Sequence, residues 1–392
     1  MKPAVLHIID SFDQGGTERQ AIQLVSQLKQ DGRFDVKLAC LDSRGVLRSE
    51  VERLGLGDIP EYPLTSFYDS NTVKQLRSFV RFLYQSEIRL VHTHGFYTNM
   101  FGMVGAALAR VPARVASRRE TEGFRTPAQK RVERYTAFRL AHSVVANAES
   151  IRRQLIKDGL RASKVVTIYN GLDMTRVAPQ MTKSEALDHF GLPQDRRFVT
   201  IIANVNHPVK DHGTLLRAMR RLRESLPDVA CIVAGDGQLL EQYRDLAADL
   251  GIANEVYFIG RSQMIGDLLN VSYVCVLSSK AEGFSNSLLE YMAAARPVVV
   301  TDVGGAREAV IEDQNGYIVP AGDYETMAVR IGLLLRAPER ARAMGARGSE
   351  IVQENFSCQA QLERTLTLYD RLLSLPIPKL EPALESISRE RA

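Results

Sequence analysis

Two carboxylates, Glu282 and Glu290, lie eight residues apart around the sequence GFSNSLL. Because an α-helix turns by about 100° per residue, positions eight apart do not share one helix face. The apolar run YVCVLSS precedes the segment and the small-residue run YMAAA follows it. This pattern predicts a strand, then a loop that carries Glu282, then a helix that contains Glu290.

Two interpretations fit this loop. Ser287 and Glu290 have the spacing of a capping box, in which the glutamate side chain reaches back to a free amide at the helix start. Alternatively, residues 283–286 leave backbone N–H groups at the helix N-terminus that bind an anion. A phosphate bound there would lie between two carboxylates, which accept hydrogen bonds from hydroxyls on either side, as a sugar nucleotide requires.

The chain around this segment alternates short β-branched runs with amphipathic stretches, which is typical of parallel sheets with crossover helices. The predicted strands are AVLHIID, DVKLACL, LVHTH, RVAS, SVVAN and VVTIYN in the first half, and FVTIIAN, ACIVAG, VYFIG, YVCVLSS and PVVVTD in the second. The predicted fold class is therefore α/β, with two doubly wound, Rossmann-like domains. Ligands bind at the carboxyl ends of such strands, so facing sheets place the site in the cleft between the domains.

The predicted domain boundaries follow from length and composition. A chain of 392 residues exceeds what one hydrophobic core usually supports, and a polar, Pro-containing connection begins near residue 170. The prediction is an N-terminal domain over 1–172 and a C-terminal domain over 173–358. A helix over 359–375 is predicted to pack back on the N-terminal domain, and the Pro- and charge-rich end, 376–392, is predicted to be a mobile tail.

The composition predicts a protein of the cytoplasm. Hydrophobic residues make up 45% of the chain, the longest apolar run is too short to span a bilayer, and the start MKPAVLHIID enters a strand pattern without a cleavage site. The four cysteines are far apart without metal-ligand spacing, so we expect them to be reduced and no metal ion to be bound.

Positive charge is concentrated in the first half. Residues 1–175 contain 26 Lys and Arg against 18 Asp and Glu, whereas residues 176–392 contain 24 against 28. Nine basic residues lie between Arg110 and Arg139: Arg110, Arg114, Arg118, Arg119, Arg125, Lys130, Arg131, Arg134 and Arg139. A solvated helix face and a surface that meets an anionic membrane or a phosphorylated acceptor both fit this segment. No nucleic-acid partner is expected, because no reader motif accompanies the charge.

The segment SSKAEGFSNSLLEYMAAARPVVVTDVGGAREAV resembles the E-x7-E region of group 1 (family 4) retaining glycosyltransferases of the GT-B fold. The runs PVKDHGTLLRA, VAGDGQLLEQ, VYFIGR and NGYIVPAGD follow the order of that family's motifs. The first half is similar more loosely, through SFDQGGTERQAIQLVSQL, VHTHGF and IYNGLD. The resemblance covers nearly the whole chain and implies two facing domains with a nucleoside-diphosphate sugar as donor substrate and no further cofactor.

The resemblance also implies residue roles. Glu282 binds donor-sugar hydroxyls, Glu290 binds the nucleotide ribose, and Lys210 contacts the diphosphate. The implied catalytic residues are His94, Lys210 and Glu282, and the implied donor-binding residues are Gly15, Gly16, Asn204, Lys210, Arg261, Glu282, Gly283, Phe284, Ser285, Asn286 and Glu290. The Asn-Gly turn at Asn170 is implied to shape the hinge.

Other interpretations of single positions stay open. Lys210 is also explained as a solvated loop lysine, His94 as a structural histidine, and the Gly15-Gly16 pair as a turn before a helix capped by Thr17. His92 is expected to face the opposite side of its strand from His94, because the strand ends there.

One position departs from the resemblance. Where the family commonly has Gly-Arg, this chain has Ala203-Asn204. Asn supplies no cation, so either Lys210 carries the diphosphate charge alone or another arginine, with Arg261 as a candidate, replaces the missing one.

The implied reaction transfers a sugar to an acceptor hydroxyl with retention and without metal, on a sugar, lipid-linked or other acceptor. Cell-surface polysaccharide or glycolipid assembly at the inner face of the membrane is the expected setting, by analogy alone. A nucleotide-sugar epimerase or hydrolase of the same fold and a non-catalytic sugar-nucleotide-binding partner are the alternatives. A nicotinamide oxidoreductase is disfavoured, since the dinucleotide fingerprint is absent.

Overall fold

The structure is a computed structural model that describes residues 2–13, 15–67, 69–119 and 126–374. The strands are β1 (Ala4–Ile9), β2 (Asp35–Cys40), β3 (Ile88–Thr93), β4 (Ala113–Arg118), β5 (Ser143–Ala146), β6 (Val165–Thr167), β7 (Arg197–Ile202), β8 (Val229–Ala234), β9 (Val256–Gly260), β10 (Ser272–Leu277), β11 (Val298–Thr301) and β12 (Gly316–Val319).

Helices connect and cover these strands. They are α1 (Gly16–Asp31), α2 (Arg48–Arg53), α3 (Ser70–Gln85), α4 (Phe96–Leu108), α5 (Pro127–Tyr135), α6 (Ala137–Leu140), α7 (Glu149–Lys157), α8 (Lys183–His189), α9 (His212–Arg223), α10 (Leu240–Asp249), α11 (Ile265–Val271), α12 (Asn286–Ala293), α13 (Ala306–Ala309), α14 (Tyr324–Arg336), α15 (Pro338–Asn355) and α16 (Cys358–Leu373). Short 3₁₀ helices occur at Ala162–Lys164, Met174–Val177, Pro208–Lys210 and Ala253–Glu255.

The strands form two parallel sheets. The first has the order β2-β1-β3-β4-β5-β6 and the second the order β12-β11-β10-β7-β8-β9. The direction of strand succession reverses between β1 and β3 in the first sheet and between β7 and β10 in the second. At such a switch point the loops leave opposite faces of the sheet and open a crevice, so the topology places a ligand site at the carboxyl ends of these four strands.

The strand predictions are confirmed with one omission. Every residue of β1 and β8 is buried, because helices cover both faces of each sheet, and this explains their nearly continuous apolar sequence. Strand β12 was missed, since its four residues GYIV lie between a polar turn and a proline and give no periodicity of their own. It extends the second sheet by pairing with β11.

The chain crosses between the sheets twice, and the crossings lie side by side. Leu172 donates its N–H to Phe356 O at 2.8 Å, and its carbonyl accepts from Cys358 N–H at 3.2 Å. After the second crossing, α16 packs against α1 and buries Leu362, Leu366 and Tyr369 in the apolar cluster of the first sheet. The predicted tail, 376–392, lies outside the described residues, as does residue 375.

Two further features concern cysteines and helix length. Cys40, Cys231 and Cys275 are buried, and all four cysteines are free thiols. No helix among the described residues combines the length and the apolar composition needed to cross a membrane.

Candidate active site

A cleft lies where the two switch points face each other. Its lining comes from the loop after β1, the carboxyl ends of β7, β8 and β9, and the start of α12. It brings together six of the residues predicted from sequence: Gly15, Gly16, Asn204, Arg261, Asn286 and Glu290. Two cations that the sequence analysis did not single out, Arg19 and Arg176, line the same cleft.

Helix α12 begins two residues earlier than a capping box at Ser287 requires. Its N-cap is Ser285, whose Oγ accepts the N–H of Leu288 at 3.3 Å. Ser287 instead donates its hydroxyl to Ile202 O at 2.8 Å, which attaches α12 to the end of β7. The capping interpretation of Glu290 is therefore wrong, because Glu290 lies in the second turn and makes its contact elsewhere.

Glu290 is paired with Arg176, which follows the predicted hinge turn at Asn170 in the chain. Its side chain is buried, and Arg176 Nε donates to Oε1 at 2.7 Å. Burial raises the pKa of Glu290, and the charge of Arg176 opposes that rise. No local sequence signal could identify this pair, since its members are 114 residues apart.

Lys210 and Glu282, which were predicted to meet the diphosphate and the sugar, form a second ion pair and are not among the residues that line the cleft. Lys210 Nζ lies 2.6 Å from Glu282 Oε1, which also accepts the hydroxyl of Ser279 at 2.6 Å. The lysine loop is held against this segment, because Ser278 donates its hydroxyl to Lys210 O at 2.9 Å. Lys210 is therefore a fixed, mostly buried cation beside Glu282 and not a solvated loop lysine.

The Gly15-Gly16 loop covers the start of α12. Gly15 is the N-cap of α1, so the alternative in which Thr17 caps this helix is wrong. Asn286 Nδ2 lies 3.4 Å from Gly16 O, and a Cβ on Gly16 would lie 3.2 Å from the same nitrogen. A side chain at position 16 would therefore require the Asn286 side chain to shift by a few tenths of an ångström.

Asn170 fastens the loop that precedes α12 to the N-terminal domain. Its Nδ2 donates to Phe284 O at 3.0 Å and to Asn286 Oδ1 at 2.8 Å, while its Oδ1 accepts from Arg119 Nη1 at 2.8 Å. Gly283 lies against the same segment, where a Cβ would come within 2.1 Å of Arg119 O. Gly283 and Phe284 thus hold the domains together at the edge of the cleft.

His94 lies under the cleft, and it is not among the residues that line it. It is buried, and its Nε2 lies 2.9 Å from His7 Nδ1. The expectation that His92 faces the other way is wrong: residues two apart on a strand share a face, and the rings of His92 and His94 are 4.3 Å apart. His7 was missed, although a polar residue inside the apolar run AVLHII was a usable signal.

Comparisons with known proteins agree with this geometry. Residues 183–351 match the family Glycosyl transferases group 1, and residues 14–176 match Glycosyltransferase Family 4. The chain is 26% identical over 328 residues to the putative glycosyltransferase EpsD of Bacillus subtilis (strain 168), covering 79% of this chain and 83% of that protein. It is 31% identical over 281 residues to D-inositol 3-phosphate glycosyltransferase of Thermobifida fusca (strain YX), covering 66% of this chain and 64% of that protein.

Solved structures show the same architecture. Anabaena Alr3699/HepE in complex with UDP and glucose superposes with a TM-score of 0.82 at 21% identity, over 94% of this chain and 99% of that chain. Sucrose-phosphate synthase from Thermosynechococcus elongatus superposes with a TM-score of 0.79 at 20% identity, over 95% and 100%. Together with the cleft between two facing sheets, these matches show that the chain is a glycosyltransferase of the GT-B fold and belongs to the group 1 family.

Proposed function

We propose that the protein transfers a glycosyl group from a nucleoside-diphosphate sugar to an acceptor hydroxyl, with retention at the anomeric carbon. The observation that carries this proposal is the start of α12, which lies under Gly16 with Glu282 on one side and Glu290 on the other. Among the described residues, each carboxylate uses only Oε1 in its ion pair, so Oε2 of each is left to accept a hydroxyl.

The diphosphate is proposed to lie at the N-terminus of α12, where backbone amides and the helix dipole favour an anion. Lys210 supplies a cation at the sugar end. Arg19 faces the same cleft from the other domain and forms no ion pair with any described residue, whereas Arg261 is exposed at the rim. Solved structures of Anabaena Alr3699/HepE hold UDP and UDP-glucose, which supports this donor class.

In the proposed reaction the acceptor oxygen bonds to the anomeric carbon on the face from which the diphosphate leaves. The carbon–oxygen bond to the phosphate breaks, and a phosphate oxygen takes the acceptor proton. Lys210, Arg19 and the α12 amides meet the charge that grows on the leaving diphosphate, a preorganised electrostatic contribution of the kind that often dominates catalysis. The reaction as proposed requires no metal ion and no protein nucleophile.

Movement at the paired crossings near Leu172 and Ser357 is proposed to close the cleft. Few backbone bonds join the domains there, so a small rotation would bring Arg19 toward α12. Closure excludes water from the donor and so limits its hydrolysis.

The acceptor is proposed to lie at an anionic membrane surface that meets α4, α5 and α6. Exposed basic residues lie there beside exposed apolar ones: Arg110, Arg131, Arg139, Leu108, Val132 and Tyr135. Part of the basic segment is not available, because Arg118 is buried in an ion pair with Glu133 at 2.6 Å. Arg125 lies outside the described residues.

The test combines binding with product analysis. A thermal-shift series with UDP, GDP, ADP, TDP and NAD identifies the base, since a ligand at a hundredfold excess over its dissociation constant stabilises the folded state by about 2.7 kcal/mol. NMR of the product from the matching donor and a panel of acceptors then reports the anomeric configuration. An inverted product, or a changed donor sugar without transfer, would contradict the proposal.

A further inference from the structure

Beneath the cleft, three histidines, a tyrosine and a serine form a buried cluster that the proposed reaction does not yet use. His7 and His92 are paired in register on β1 and β3, and His94 follows β3 directly. Tyr369 reaches them from α16, and Ser117 from β4. All five side chains are at most 1% exposed.

These groups form one continuous hydrogen-bonded chain. Ser117 Oγ lies 2.7 Å from His92 Nε2, and His92 Nδ1 lies 2.6 Å from Tyr369 Oη. Tyr369 Oη lies 3.2 Å from His7 Nε2, and His7 Nδ1 lies 2.9 Å from His94 Nε2. The last ring nitrogen, His94 Nδ1, is buried without a partner among the described residues.

All three imidazoles are neutral. Burial lowers the pKa of His7 to about 3 and holds the pKa values of His92 and His94 well below their usual range. Burial also keeps the Tyr369 hydroxyl protonated by raising its pKa. A neutral imidazole has one N–H and one lone pair, and the buried Tyr369 hydroxyl has one proton that needs an acceptor, so every bond in the chain runs in the same direction. Only two arrangements satisfy this condition.

The tyrosine decides between them. A hydroxyl makes shorter hydrogen bonds as a donor than a ring N–H does. The 2.6 Å contact therefore fits Tyr369 donating to His92, and the 3.2 Å contact fits His7 Nε2–H donating to Tyr369. His7 Nδ1 then accepts from His94 Nε2–H, and at the other end His92 Nε2–H donates to Ser117.

We propose that Tyr369 and His7 are positioning residues that hold His94 as its Nε2–H tautomer, with Nδ1 as the acceptor for a hydroxyl of the sugar substrate. This inference rests on the proposed function for the identity of that hydroxyl. A buried acceptor without a partner costs free energy, and a substrate hydroxyl that meets it recovers that cost. The lone pair at Nδ1 selects a hydroxyl over a phosphate oxygen, which has no hydrogen to donate.

A metal ion is the competing explanation, because nitrogens of His7, His92 and His94 lie within 4.8 Å of one another. A metal needs a lone pair from each histidine. Both His92 nitrogens are instead held by groups outside the trio, Tyr369 and Ser117. Hydrogen bonding thus accounts for the cluster without an ion.

The test reads the tautomer of His94 directly, by long-range ¹H–¹⁵N NMR of the full chain labelled in its seven histidine rings. The His94 signals are assigned from their loss in His94→Gln. The expected result for the wild type is a proton on Nε2. In Ser117→Ala, His92 Nε2–H loses its acceptor, but reversal of the chain would leave His94 Nδ1–H without one, so we expect the His94 proton to stay on Nε2.

Tyr369→Phe breaks the chain, and we expect a mixture of both His94 tautomers. Tyr369→Phe should lower kcat about tenfold and Ser117→Ala should change it little, while nucleoside-diphosphate affinity stays unchanged in both, because no residue of the hydrogen-bonded chain bonds to α12. Tyr317→Phe is the matched control: Tyr317 is buried in the other domain, without a hydroxyl hydrogen bond among the described residues, and should change neither reading.

A proton on His94 Nδ1 in the wild type, an unchanged tautomer in Tyr369→Phe, or one equivalent of zinc in the purified protein would each overturn the inference. The NMR reading requires no turnover. A lack of glycosyl transfer would therefore refute the proposed function while leaving the tautomer result to be judged separately.

Discussion

Two regions of the molecule handle polar groups in opposite ways. The charged wall, made of Lys210, Glu282, Arg176 and Glu290, pairs each carboxylate with one cation. The histidine chain, made of Ser117, His92, Tyr369, His7 and His94, carries no charge and orders its hydrogen bonds in one direction.

The difference follows from how exposed each region is and from what each region is proposed to bind. Ion pairs at a partly open surface can exchange partners, so a diphosphate can share Lys210 while sugar and ribose hydroxyls occupy the free oxygens of Glu282 and Glu290. Charged groups would cost far more desolvation free energy in the fully buried histidine chain. Neutral imidazoles orient the hydrogen bonds there at a lower cost. The wall is thus suited to bind charge and the chain to orient a hydroxyl.

The largest expected effect comes from removing Lys210, one of the two cations of the charged wall. Lys210→Ala should lower kcat by about a hundredfold, because the leaving diphosphate loses a preorganised cation. Steady-state rates with the cognate donor measure this effect. Lys280→Ala is the matched control, an exposed lysine on the neighbouring loop. Equal rates for both variants would remove Lys210 from the reaction.

Replacing Glu282 by Ala tests whether the two carboxylates of the wall differ in role. We expect kcat to fall about thirtyfold and nucleoside-diphosphate affinity to change little, because Glu282 is proposed to contact the sugar and not the nucleotide of the donor. A hydrogen bond to a charged group contributes about 1.5–3 kcal/mol. Rates and calorimetric binding of the diphosphate are measured together. A larger loss of binding than of rate would place Glu282 at the nucleotide.

Glu290→Ala should show the reverse pattern. We expect diphosphate affinity to fall about tenfold, because the ribose loses its acceptor and Arg176 loses its partner. Calorimetry measures the affinity, and thermal unfolding without nucleotide separates this loss from destabilisation of the fold. Unchanged affinity would separate Glu290 from the ribose.

Arg19→Gln tests whether the facing domain contributes charge to the wall. We expect kcat/KM to fall about fivefold, less than for Lys210, because Arg19 meets the diphosphate only in the closed cleft. Arg33→Gln, just beyond the end of the same helix, is the control. Asn204→Arg in the Arg19→Gln background should restore part of the loss, since both side chains line one cleft; a further loss of activity would contradict this role.

The smallest expected effect concerns the charge of one side chain, Glu18, and its dependence on pH. Burial raises the pKa of Glu18 to about 7, from an ordinary value of 4.5. Below pH 4.5 the residue is protonated in both folded and unfolded chains, and above pH 7 ionisation favours unfolding. Glu18→Gln should therefore unfold at the same temperature as the wild type at pH 4 and at a higher temperature at pH 8. Equal unfolding temperatures at pH 8 would refute the raised pKa.

Much of this protein follows from local pattern. Apolar runs predicted eleven of the twelve strands, and the alternation of strands and helices predicted two doubly wound sheets. The segment from Glu282 to Glu290 was correctly divided into loop and helix, because each periodicity extends over enough residues to be recognised. Strand β12 was missed for the opposite reason, since four residues between breakers carry no periodicity.

The sequence by itself determined the fold class and the loop and helix that carry Glu282 and Glu290, because both depend on contacts between neighbours in the chain. The tertiary structure alone decided what those carboxylates contact. Arg176 reaches Glu290 across 114 residues, and Tyr369 reaches His7 across 362. No local periodicity encodes such contacts: they exist because two parallel sheets bring distant loop ends to one cleft and a returning helix seals the layer beneath it.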